Sequence, residues 1–80
     1  MSADAIVAEV VAQLLDLESD ELAMDTPLAG IEGWDSVNQM RILVYLERDL
    51  GTSLDYDRFM KAASLAELSA VVADAEGSPA

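Results

Sequence analysis

Apolar residues recur along this chain at three- and four-residue steps, and no stretch alternates apolar with polar as a half-buried strand does. That restricts the fold to packed helices. From Asp4 to about Leu17, the residues Ile6, Val7, Val10, Val11, Leu14 and Leu15 fall on one helical stripe, with Asp4 expected as its cap. Trp34-Asp35-Ser36 opens a second helix that runs to about Leu50. Gly51 follows, a residue suited to the position just past a helix end. Tyr56 to Lys61 reads as a short helical turn inside a connector spanning Thr52 to Ala63. Ser64-Leu65-Ala66-Glu67 has the form of a capping box, in which serine and glutamate satisfy free N–H groups reciprocally. A last helix therefore starts there, with the stripe Leu65, Leu68, Val71 and Val72, and is expected to end near Ala75.

The expected class is all-α, three main helices plus one short one. Between the first and second helices, Ser19 to Gly33 holds Pro27, Gly30 and Gly33 without sustained periodicity, which reads as a long loop anchored by Leu22, Leu28 and Ile31. A loop of that length in so small a domain is often functional. Residues 1–76 are expected to form one domain and 77–80 a disordered tail; starting at Met1, the chain reads as a discrete protein and is expected to be a monomer. A chain of 80 residues buries only about 60–65% of its unfolded surface, so its stability margin is modest.

Charge narrows the function. Sixteen carboxylates face four basic groups, Arg41, Arg48, Arg58 and Lys61, for a formal charge of −12. Nucleic acid and anionic membrane surfaces would be repelled. Proteins with basic docking faces would be attracted, although acidity that merely confers solubility is the simpler reading of charge alone. The chain has no cysteine and no histidine, so it brings neither a thiol nor the commonest general base of its own. It lacks both a membrane-spanning run and a signal-peptide pattern, and a cytoplasmic protein is expected.

The second helix carries more apolar surface than one core stripe needs. Stepping 100° per residue from Ser36, Ile42, Leu43, Leu46 and Leu50 share an arc at about 240–340°, a normal core face. Val37, Met40 and Val44 share a second arc at about 40–100°, while Gln39 and Glu47 stand among the apolar residues. Either the helix is buried on two sides, or Val37, Met40 and Val44 form a strip open to a partner. Apolar stripes are usually core, and the pattern alone favours burial.

At the start of that helix, Asp35 suits a cap and Ser36 stands at the first helical position, beside free N–H donors that favour a phosphate. For an isolated Asp-Ser pair, a cap is the default reading. The surroundings add an exposed hydroxyl beside a long loop and an apolar strip, with no competing nucleophile. Gly33-Trp34-Asp35-Ser36-Val37, followed by Leu43, Leu46, Glu47 and Leu50, resembles the acyl carrier protein family, and the Ser64-Leu65 helix start resembles that family's last helix. The likeness covers Ile6 to about Val72.

The resemblance implies an acyl-carrier-like bundle in which Ser36 receives 4'-phosphopantetheine from coenzyme A through a phosphopantetheinyl transferase. Asp35 would help present Ser36. The arm's thiol would hold an acyl or aminoacyl load as a thioester, so the chain would be a carrier and no enzyme. Its further partners would be a loading enzyme, an acyltransferase or a ketosynthase. Val37, Met40 and Val44 match partner-contact positions, with Trp34 and Arg41 as further candidates. Trp34 is also a candidate core anchor, the reading its size favours.

The usual motif has leucine where Val37 stands, and the family's second helix commonly shows carboxylates where Asn38, Gln39, Arg41 and Arg48 stand here. Those departures point to a dedicated partner set, and Trp-Asp-Ser looks like carriers of specialised polyketide or hybrid polyketide–peptide pathways. Three rivals were weighed. A calcium loop beginning at Asp16, Glu18 and Asp20 fails, because Glu21 stands where glycine is needed and Pro27 where the bidentate glutamate belongs, so no metal is expected. A hydrolase using Ser36 lacks a histidine base. An unmodified helical interaction module, docking through the strip, remains the alternative.

Overall fold

The structure, a computed structural model, describes residues 2–18, 20 and 22–77, and among them four helices follow in order. They are α1 (Ala3–Leu15), α2 (Ser36–Leu50), α3 (Tyr56–Lys61) and α4 (Leu65–Gly77). The all-α bundle of three main helices and one short one stands as the sequence implied. Among the described residues no strand forms beyond one isolated bridge, Pro27 to Ser64.

Three boundaries differ from expectation. The cap of α1 is Ser2, whose side chain accepts from the Ala5 N–H, while Asp4 lies inside the first turn and accepts from the Ser69 hydroxyl of α4. At the other end Asp16 turns left-handed (φ 59°), and the Leu17 N–H bonds back to the Ala12 carbonyl, so Leu17 is outside the helix. Periodicity could not find either end, because both are decided by single side-chain or backbone bonds. The last helix runs past Ala75 to Gly77, which moves that residue out of the expected tail; 78–80 lie outside the described residues.

Each helix contributes one face to a single core. Val7, Val10 and Val11 of α1 meet Ile42, Leu43 and Leu46 of α2, Phe59 of α3, and Leu65, Leu68, Val71 and Val72 of α4. From the long loop Leu28 and Ile31 enter the same cluster, and Leu22 and Trp34 pack against its edge. The loop is also stitched to the start of α4. The carbonyls of Met24 and Thr26 accept from Ala66 and Leu65, and the Leu28 N–H donates to Ala63. Ser64 accepts from the Glu67 N–H through its hydroxyl, and Glu67 accepts from the N–H of Ala63, one residue before the donor of a standard capping box. The first N–H groups of α4 are thereby satisfied, and the loop is held by backbone bonds as well as by its anchors.

Candidate functional site

Asp35 caps α2 from an extended backbone, its Oδ1 accepting the Asn38 N–H at 2.8 Å, while its carbonyl accepts the Gln39 N–H at 2.8 Å. Ser36 occupies the first helical position and is exposed. Among the described residues, the N–H groups of Ser36 and Val37 and the Ser36 hydroxyl have no hydrogen-bond partner in the protein. The contrast with α4 is direct: one helix start is filled by its own chain, the other is left open to solvent. Two free donors at the positive end of a 15-residue helix suit the oxygens of a phosphodiester, and the exposed hydroxyl suits its attachment.

The chain approaching this start is fixed. Gly33 has φ +88°, a conformation that disfavours any side chain, and the Trp34 N–H bonds to the Ile31 carbonyl. Asn38 reaches back from α2, its Nδ2 donating to the Gly33 carbonyl at 2.7 Å, and its Oδ1 accepts from Arg41 at 3.2 Å. This clasp joins the loop end to the first turn of the helix, two residues after Ser36. Sequence reasoning took Asn38 only as a neutral replacement for a carboxylate; its signal was an amide three residues after a cap, within reach of the preceding loop. Trp34 is half-buried against the core edge, as an anchor for the loop end is.

The apolar strip lies open. Val37 is 68% exposed, Met40 37% and Val44 47%, so the burial favoured by the pattern alone is not what forms. The core face of α2 is the other arc, with Ile42 and Leu46 fully buried and Leu50 half-buried. The polar residues set among the apolar ones have specific partners. Gln39 is buried and its Nε2 donates to the Met60 carbonyl at 3.2 Å. Glu47 accepts the Leu54 N–H at 2.8 Å, tying the connector after α2 to its last turn.

Next to the strip, Leu14 of α1 with Met40, Arg41, Val44, Tyr45 and Arg48 of α2 line a shallow groove. Thus Met40, Arg41 and Val44 come together there, with Leu14, Tyr45 and Arg48 added to what the sequence singled out. Tyr45 was passed over because it falls in the polar sector of the helix, and Leu14 because it lies on the core stripe of α1.

No other described serine combines exposure with a free helix start. Ser2 and Ser64 are caps whose hydroxyls accept backbone N–H groups, and Ser69 is buried and donates to Asp4. Ser53 is exposed in the connector between α2 and α3.

Residues 5–72 match a family model described as a phosphopantetheine attachment site. Among curated proteins, none matches the chain.

Proposed function

The chain belongs to the phosphopantetheine attachment site family and so carries covalent 4'-phosphopantetheine, and on that premise we propose that Ser36 is the attachment residue and that the loaded chain is an acyl carrier without catalysis of its own. The observation that carries this reading is the open start of α2, with an exposed hydroxyl and two unpartnered N–H groups.

When bound, the arm supplies a thiol that holds an acyl or aminoacyl group as a thioester. The chain's residues do the rest. Asp35 ends the extended segment and starts the helix at Ser36, and the Asn38–Gly33 clasp ties the end of the loop to the first turn. Free N–H groups of Ser36 and Val37 would receive the phosphodiester oxygens. Held covalently on the arm, the load is handed between enzymes that the chain contacts through α2.

Those partners are a phosphopantetheinyl transferase and acyl-processing enzymes, in our reading a loading enzyme with an acyltransferase or ketosynthase. Trp34-Asp35-Ser36 and the arginines of α2 support specialised polyketide or hybrid polyketide–peptide biosynthesis as the pathway class. Among the described residues no helix is long and apolar enough to cross a membrane.

The test is incubation with an acyl-coenzyme A, magnesium and a broad-specificity transferase, read by intact mass. A gain equal to one acyl-phosphopantetheine, with the acyl part alone released by hydroxylamine, is expected. A folded protein that gains nothing with two different transferases would overturn the reading in favour of an unmodified interaction module.

A further inference from the structure

The α2 face differs in charge from the rest of the molecule. Of the four polar residues that replace carboxylates there, Asn38 and Gln39 are committed to internal bonds, to the Gly33 and Met60 carbonyls. Arg41 and Arg48 remain as the charged groups of the groove, both exposed. Among the described residues the only ion pair joins Arg58 to Asp74, and no described carboxylate pairs with either groove arginine. No carboxylate lines the groove. The nearest acids on α2 flank Arg48 without pairing to it: Glu47 accepts from Leu54 and shares a concavity with Val44 and Arg48, and Asp49 shares another with Tyr45 and Arg48.

The backbone positions of Arg41 and Arg48, seven residues apart, are separated by about 10 Å along the helix axis. Val44 lies between them along the axis, Met40 immediately precedes Arg41, and Leu14 of α1 lines the same groove. Met40 is adaptable, and a groove of this kind accepts a large apolar side chain. Guanidinium forks pair bidentately with carboxylates, the ordinary anions of a protein surface.

We propose that this face docks a partner protein whose contact surface places an apolar side chain between carboxylates, the reverse of the basic surface that a chain of charge −12 would select overall. The proposal rests on the carrier reading only in naming the partner class for the same helix. At physiological ionic strength the screening length is about 8 Å, so the groove's own charges decide the contact and the distant carboxylates count for little.

The test is a methyl and amide NMR titration of the full chain with two short helical peptides. Both present a leucine stripe, one flanked by glutamates and the other by lysines at the same positions. The glutamate peptide should shift Leu14, Met40 and Val44 saturably, and the double variant Arg41→Gln/Arg48→Gln should weaken it roughly five- to tenfold, as two exposed charge pairs would. Equal or tighter binding of the lysine peptide in the groove would overturn the proposal, as would binding of neither peptide or no change in the double variant. Self-association of the chain through this face, lost in the double variant, would assign it to a second copy and overturn it too. Modification of the unsubstituted chain by transferase and coenzyme A, with no peptide present, reports separately on the carrier reading.

Discussion

If α2 has one face in the core and a second strip kept free, truncating the two faces must have unlike costs. Leu46 is fully buried, and replacing it with alanine removes core contacts and leaves a cavity, at a cost of about 2–5 kcal/mol. A domain of 80 residues has about 4–12 kcal/mol in total, so that one change consumes much of the margin. Val44 is 47% exposed. Its truncation to alanine forfeits about half the burial of two methyl groups, roughly 0.8 kcal/mol, and regains about 0.5 kcal/mol of helix propensity. The net cost is a few tenths of a kcal/mol. Urea unfolding followed by far-UV circular dichroism separates these cases, and thermal unfolding should place Leu46→Ala about 12–24 °C below wild type, taking 3 kcal/mol as the cost. Val44→Ala should move the midpoint by no more than about 3 °C while impairing transfer to partner enzymes. Equal losses from both substitutions would refute the division of α2 into two faces.

Other consequences concern the framework around the site. Asp35→Ala removes the cap on the Asn38 N–H and should cost about 1 kcal/mol in urea unfolding, with slower modification by the transferase. Gly33→Ala should cost about 1–3 kcal/mol through its φ of +88° alone, since the added Cβ would meet Leu15 at an ordinary 3.6 Å; a neutral result by the same assay would show that this backbone can relax. Glu47→Ala strips the acceptor from the half-buried Leu54 N–H and should destabilise by about 1–3 kcal/mol, whereas Arg58→Ala, which breaks an exposed ion pair, should cost under about 1 kcal/mol.

The helices were legible because their apolar stripes repeat many times, so that Val7, Val10 and Val11 or Leu65, Leu68 and Val71 speak together. Asp35, Ser36 and Gly51 were legible because cap chemistry is local. What sequence could not resolve depended on contacts between distant segments. Asp4 looks like a cap, but Ser2 holds that place and Asp4 instead meets Ser69, 65 residues away. Val37, Met40 and Val44 have the composition of a core face, and only the packing of α1, α3 and α4 on the opposite arc leaves them in water. The groove needed Leu14 from another helix, and the burial of Gln39 needed the Met60 carbonyl, neither of which one helix's periodicity contains.

The claim on which the account stands is that Ser36, among seven serines, holds the prosthetic arm. The most direct measurement is intact mass of wild type, Ser36→Ala and Ser53→Ala after identical treatment with coenzyme A, magnesium and transferase. Ser36 is exposed with a free hydroxyl, so its loss should leave unfolding within about 0.5 kcal/mol of wild type and remove a structural explanation for any failure. Attachment at Ser36 requires one phosphopantetheine on wild type and on Ser53→Ala, and none on Ser36→Ala. A full gain on folded Ser36→Ala would contradict it.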